Sequence, residues 1–104
     1  ALEAAHIENY SGPKSQVTSN GILLRRDLHS LFDAHLISFE PVCGEYRLCG
    51  SYLLDKTDYA SFAGAMLRQP NEHQWRPNTV FLEAHRIEFD RSEKKREKVG
   101  LLPY

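Results

Sequence analysis

The feature that most constrains the fold is a change of hydrophobic period near residue 35. Before it, apolar residues of the segment 26–34 recur at the i, i+3, i+4 spacing of an amphipathic helix of about two to three turns. After it, residues 36–40 and 45–49 have the alternating character of strands, with a turn-forming stretch between them. We therefore expect a helix followed by a β-hairpin.

The flanking segments predict further elements of both kinds. Residues 1–7 have the character of a strand or an extended segment, and the turn signal Asn20-Gly21 precedes a short apolar run. Residues 58–67 predict a short helix docked on the hairpin. This mixture of elements predicts an α+β fold.

A final helix is predicted near the C-terminal end of the sequence. Asn78 is a suitable N-cap, and the helix is expected to run from there to about Lys98. His85 is expected to be a hydrogen-bonded core histidine of this helix. The apolar stripe of the helix is predicted to comprise Val80, Ala84 and Ile87.

Length and composition limit the classes of function. The 104 residues suit one domain, and a hydrophobic share of 41% with a charged share of 26% excludes collagen-like, purely disordered and disulfide-dense chains. No targeting segment and no apolar stretch of roughly 18 residues is visible, so we expect a cytoplasmic protein with no membrane partner. The spacing of Cys43 and Cys49 fits neither a zinc knuckle nor a redox motif. Free thiols are the simplest interpretation, and a single disulfide stays open.

Charge is unevenly spread along the chain. The formal net charge is −1, which alone argues weakly against a polyanionic partner. Residues 91–98 form the single charge block, with five basic and two acidic side chains. This block suits either a solvated helix end or contact with a nucleic-acid backbone.

The residues that carry chemistry are His6, Asn20 and His29, predicted on a strand end, in a loop before a strand and on a helix. His29 and Asp33 are four residues apart, so both side chains point from one flank of the helix. A histidine and a carboxylate one turn apart can share a divalent ion. A second histidine arriving from a strand could act as a base near that ion.

These residues and their neighbours resemble the signature of the HNH endonucleases, in the branch common in bacterial restriction and defence proteins. The resemblance is carried by residues 4–7, 19–24 and 27–33, where residue types, order and spacing all agree. Residues 76–78 and 81–86 also resemble the C-terminal element of that branch.

The resemblance implies a ββα-metal fold, in which two strands, a loop and a helix surround one divalent cation. We expect this core in residues 2–40 of an α+β domain, extended by a second β-hairpin and C-terminal helices in residues 41–104. Residues 1–104 then form a single HNH nuclease domain, which we expect to be part of a longer protein.

The resemblance also implies a role for each site residue. His6 is the general base that activates water, and Asn20 orders the loop and orients that base. His29 is a metal ligand, and Asp33 is a second candidate ligand at a position where the colicin-like nucleases have a histidine. Mixed imidazole and carboxylate ligands suit one Mg²⁺ or Mn²⁺ ion, and also Ni²⁺ or Zn²⁺.

One position departs from the family pattern. Ala5 stands where many HNH enzymes have an acid or a histidine before the base. The ion then has fewer protein ligands, or Glu3 or Asp27 assists, or activity is lost. The last case describes a catalytically degenerate ββα module that binds nucleic acid or a protein partner.

The expected substrate is DNA, cut at its phosphodiester bonds. Lys14, Arg25 and Arg26 are candidates for phosphate contact, and ordinary surface solvation is the equal alternative. Residues 1–40 hold three basic and five acidic side chains, so this domain alone should bind DNA weakly. Specificity is then expected from a further recognition or sensor domain, or from an assembly such as a homodimer. A secreted toxin with an immunity partner would need a receptor or translocation segment, which nothing in the sequence indicates.

Overall fold

Two antiparallel strand pairs, two α-helices and two short 3₁₀ helices, at Tyr52–Leu54 and Asp58–Phe62, make up the regular structure in the described part of the chain. The structure is a computed structural model that describes residues 2–6, 21–69 and 76–104, with residues 2–6 and 21–23 described by their backbone. This mixture of elements confirms the predicted α+β class. In chain order the elements are β1 (Leu2–His6), β2 (Gly21–Arg25), α1 (Arg26–Asp33), β3 (Ile37–Val42), β4 (Glu45–Gly50) and α2 (Thr79–Lys98).

Each strand pair is a separate two-stranded sheet. In the first, β1 pairs with β2 in a register that sets Leu2 opposite Arg25 and His6 opposite Gly21. In the second, β3 and β4 form the predicted hairpin, and their turn is the two residues Cys43 and Gly44. Both turn residues have positive φ, at 51° and 82°, as a tight hairpin turn of the primed type requires.

Helix α1 confirms the predicted helical turns and ends in a left-handed residue. The backbone N–H of His35 donates to the carbonyl oxygen of Phe32 at 3.1 Å, and that of Leu36 donates to Leu31 at 2.9 Å. These two bonds form a Schellman motif, whose left-handed position is usually a glycine. Here it is His35, with φ at 56°. The helix end therefore carries backbone strain that other contacts must offset.

Helix α2 begins as predicted and buries a different face from the predicted one. The Asn78 side chain accepts hydrogen bonds from Val80 and Phe81, at 2.8 and 3.3 Å, which confirms the N-cap. Val80 and Ile87 are 66% and 46% exposed, so the predicted apolar stripe is wrong. The buried stripe comprises Leu82, His85 and Phe89.

The buried face of α2 is determined by its packing on β3 and on the end of α1. Helix α2 contacts these elements through positions three and four residues apart around His85. Val80 and Ile87 lie on the opposite side of the helix, and Ala84 has intermediate exposure. Within the described residues, no helix combines the length and apolarity that crossing a membrane requires.

The helix predicted over residues 58–67 is wrong in its second half. A 3₁₀ helix spans Asp58–Phe62, and Gly64 follows with φ at 89°, a conformation that cannot continue a right-handed helix. The chain then runs beside β4, where Leu48 donates its N–H to Ala65 at 2.8 Å and Leu67 donates to Tyr46 at 2.8 Å. The segment therefore protects an edge of the hairpin.

One cluster of buried side chains joins the elements. It draws on β2, α1, both strands of the hairpin, the 3₁₀ helix Tyr52–Leu54 and α2, so the core holds α1 between the two strand pairs. Its buried members are Leu24, Phe32, Ile37, Phe39, Tyr46, Leu48, Leu54 and Leu82. Cys43 and Cys49 are both free.

The strain at His35 can be measured by comparing two substitutions. His35→Ala and His35→Gly both remove the ring, but only alanine keeps the Cβ that disfavours positive φ. We expect the alanine variant to be less stable than the glycine variant by about 1 kcal/mol. Chemical denaturation gives the two free energies of unfolding, and an alanine variant as stable as the glycine variant would contradict the strain.

Candidate active site

Two predicted metal ligands lie side by side on α1. The Nε2 atom of His29 is 3.1 Å from the Oδ2 atom of Asp33. Their side chains are 25% and 60% exposed, so the pair opens to solvent on one side. The four-residue spacing therefore places an imidazole nitrogen and a carboxylate oxygen in direct contact.

The separation of these two atoms fits a shared divalent ion. Adjacent ligands of an octahedral ion, with bonds of about 2.1 Å at right angles, are about 3.0 Å apart. A metal-bound imidazole nitrogen carries no proton, so an ion would take the place of any hydrogen bond between the two atoms. Two protein donors alone leave the coordination shell of an ion incomplete. The described side chains contain no group of three or more His, Cys, Asp or Glu residues that could hold an ion. An ion bound here would need further ligands from elsewhere.

The predicted base lies on a strand that packs against this helix. His6 is the last residue of β1 and pairs with Gly21, the residue that follows Asn20 in the chain. Helix α1 packs against both β1 and β2. Asn20 and Lys14 lie outside the described residues, so their roles stay predictions.

The two arginines at the start of α1 have different surroundings. Arg25 forms a two-pronged ion pair with Asp27, at 3.2 and 2.8 Å, and its guanidinium lies 4.8 Å from the centre of the Phe62 ring. The hydrogen bonds from Arg25 and from the N–H of Leu28 hold the pKa of the Asp27 carboxyl below its usual range. Arg26 is exposed on the first turn. Asp27 is therefore occupied by Arg25, and it could assist a metal ion only if that pair opened.

His85 of α2 contacts the other end of α1. Its Nε2 atom is 2.8 Å from the carbonyl oxygen of Phe32, and its Nδ1 atom is 2.7 Å from the Ser38 hydroxyl. A carbonyl only accepts, so Nε2 carries the proton and the Ser38 hydroxyl donates to Nδ1. The ring is 6% exposed and stacks between Phe32 and His35, with centroids 3.7 and 4.5 Å away. The prediction of a hydrogen-bonded core histidine is confirmed.

Arg96 of α2 contacts the same end of α1. Its Nη1 atom donates to the carbonyl oxygen of His35 at 2.9 Å, and its Nη2 atom donates to that of Ala34 at 3.0 Å. Nη1 also lies 3.0 Å from Oε1 of Glu93. The arginine is thus a C-terminal cap for α1 that comes from another helix.

Glu93 fixes that arginine and links it to the hairpin. Its carboxylate accepts from the Ser51 hydroxyl and from the N–H of Tyr52, the latter at 3.1 Å. The side chains of Glu93 and Arg96 are 16% and 14% exposed. The sequence prediction missed both residues, because they lie inside the charge block 91–98. Their signal is the spacing, which continues the buried positions 82, 85 and 89 along one face of α2.

Residues 1–40 match the family model of the HNH endonucleases. The resemblance predicted from His6, Asn20 and His29 is therefore confirmed over that segment, and it indicates a nuclease-type function. Comparison with curated proteins and with solved structures found no match. The family match ends within β3, so β4 and α2 lie outside it.

The buried His85 ring predicts how stability depends on pH. Burial, with a smaller effect from His35, lowers its pKa from the ordinary value of 6.5 to about 4. Between those values the unfolded chain binds a proton that the folded chain does not. The contribution of neutral His85 to the free energy of unfolding is therefore fully present above pH 6.5. It is lost as the pH drops toward 4, which lowers the free energy of unfolding by up to about 3 kcal/mol.

Urea denaturation between pH 7.5 and 4.5 measures this loss. His85→Asn removes the titrating ring and keeps a polar side chain, so we expect a shallower pH dependence in that variant. Equal slopes in the two proteins would show that other groups cause the acid sensitivity.

Proposed function

We propose that this chain is a divalent-metal-dependent HNH endonuclease domain that hydrolyses phosphodiester bonds of DNA. The observation that carries the proposal is the family match over residues 1–40, the segment that contains all four candidate catalytic and metal residues. The contact between His29 and Asp33 on α1 supports it. We infer further that the domain supplies the cleavage function of a restriction or defence protein.

The proposed core is the ββα-metal unit of residues 2–40. The order β1, β2, α1 and the packing of α1 on both strands support this assignment. His6, at the end of β1, acts as the general base, because a neutral imidazole can take a proton from water near pH 7. Asn20 orders the loop and orients that base.

His29 and Asp33 hold the divalent ion in this proposal. When bound, the ion stabilises the negative charge that develops on the phosphate and on the leaving oxygen. Mg²⁺ or Mn²⁺ suits this donor pair best, and Ni²⁺ or Zn²⁺ also fits. With Ala5 before the base, water and the substrate phosphate would complete the coordination shell of a bound ion.

The proposed partner is DNA, held by few charges of this domain. Lys14 and Arg26 are the proposed phosphate contacts, together with Arg25. The charge of Arg25 is already balanced by Asp27, so its contribution is to position rather than to attract the backbone. Affinity and specificity then come from a further domain of the same protein or from a homodimer.

A catalytically degenerate ββα module is the second candidate function. Ala5 favours it, since this position supplies no ligand. Such a module would bind nucleic acid or a protein partner without cutting. Metal binding and cleavage separate the two functions.

Calorimetric titration with Mn²⁺ tests the metal site. We expect His29→Ala and Asp33→Asn to weaken binding at least about tenfold, because each removes one protein donor. Asp90→Asn is the matched control, since Asp90 is also an exposed helical aspartate, paired with Arg86 four residues away. Equal effects of Asp33→Asn and Asp90→Asn would contradict ligation by Asp33.

Plasmid cleavage with Mg²⁺ or Mn²⁺ tests the activity itself. We expect His6→Ala to lower the cleavage rate by about 10²-fold or more, the usual contribution of a general base. The purified variant must give the same circular dichroism spectrum as the unaltered chain. Equal cleavage by both proteins would point to a contaminating nuclease and refute the proposal, and metal binding without cleavage would favour the degenerate module.

A further inference from the structure

Helix α1 needs support from outside for its last turn. It has eight residues, and helices of this length are unstable in isolation. Its last turn contains no basic side chain, so nothing on the helix balances the partial negative charge of its carbonyl end. Asp33, one of the two candidate metal ligands, is the last residue of this turn.

Helix α2 supplies the missing partners on both sides of Asp33. His85 donates to the carbonyl oxygen of Phe32, the preceding residue, at 2.8 Å. Arg96 donates to the carbonyl oxygens of Ala34 and His35, the two following residues, at 3.0 and 2.9 Å. The carbonyl groups of the residue before Asp33 and of the two residues after it are thereby fixed, and with them the direction of the Cα–Cβ bond of Asp33.

The two donors are themselves held by buried contacts. Stacking and the bond to Ser38 leave the His85 ring one orientation. Glu93 holds Arg96 from the hairpin side. Because each donor is held in one orientation, it fixes the position of the carbonyl group to which it donates.

We propose that His85 and Arg96 are positioning residues for the metal site, because they hold the main chain around Asp33 and so keep its carboxylate beside His29. We call these two side chains and their three carbonyl partners the α1–α2 clamp. The inference rests on the proposed function, since it requires the ion to bind at His29 and Asp33. Neither clamp residue lies in the segment that matches the family model, so the clamp adds a requirement from outside residues 1–40.

Two substitutions break the clamp while largely preserving shape. His85→Phe keeps a flat ring between Phe32 and His35 and loses both hydrogen bonds. Arg96→Met keeps the aliphatic stem and loses all side-chain donors, whereas Arg96→Lys keeps the positive charge with its three N–H donors on one nitrogen and loses the planar fork.

Two further substitutions on α2 serve as matched controls. Phe89→Leu removes buried volume four residues from His85 and touches no hydrogen bond of α1. Arg91→Met removes an exposed arginine whose ion pair, with Glu88, lies on α2 itself. If His85 and Arg96 only stabilise the fold, Phe89→Leu should lower the Mn²⁺ affinity more than Arg91→Met does, and about as much as the clamp variants do.

The experiment measures Mn²⁺ affinity of the full chain by calorimetry, at a temperature where circular dichroism shows every variant folded. We expect His85→Phe and Arg96→Met to weaken binding about tenfold, as removal of outer-shell partners does. Arg96→Lys should restore part of the affinity, and both controls should keep it. Affinity that falls in Phe89→Leu as much as in His85→Phe would overturn the proposal and leave a structural role.

Amide hydrogen exchange over residues 30–35 separates failure of the clamp from failure of the proposed function. We expect faster exchange there in His85→Phe and Arg96→Met, and no change in Arg91→Met. An unaltered chain that binds no Mn²⁺ would refute the proposed metal site, and the positioning role with it. Bound Mn²⁺ with unchanged exchange and unchanged affinity in the clamp variants would overturn the clamp alone.

Discussion

Hydrogen bonds from α2 to the carbonyl end of α1 join the two parts of this fold. On one side are the strands and helix that carry the candidate site, and on the other the hairpin and the long final helix. Each neutral bond contributes about 1 kcal/mol and each charged one somewhat more. Loss of His85 or Arg96 would cost more than these values, because the buried Ser38 hydroxyl would lose its side-chain partner or the largely buried Glu93 carboxylate would lose its cation.

The same bonds determine where α2 lies along the hairpin. Ser38 and Ser51 are almost completely buried, at 0% and 1% exposure. Each hydroxyl bonds to a side chain of α2, the first to His85 and the second to Glu93. A shift of α2 by one residue would remove both partners from these hydroxyls, whereas apolar contacts would tolerate it better. The polar pairs therefore select one register for the helix.

The sequence predicted what depends on neighbouring residues. The turns of α1, the β3–β4 hairpin and the Asn78 cap all have local signals, and the contact between His29 and Asp33 follows from helical geometry. The carbonyl partners of Arg96 have no such signal, because Arg96 reaches a carbonyl 61 residues away in the chain and its charge resembles that of a solvated helix end. The prediction of the buried stripe of α2 was wrong because it considered apolar side chains alone, whereas the buried face includes a histidine. Residue types alone do not show that Gly64 ends a helix and starts an edge segment.

The clamp has a consequence for how this domain can change over evolutionary time. Its acceptors on α1 are main-chain oxygens, which every amino acid supplies. The exposed side chains of α1 can therefore be exchanged without loss of the bonds that dock the helix. On α1, the groups that dock the helix are therefore distinct from the side chains that carry the proposed chemistry. Helix α2 bonds to the main chain at the end of α1, so substitutions on the outward face of α1 can change the set of metal ligands without undocking the helix.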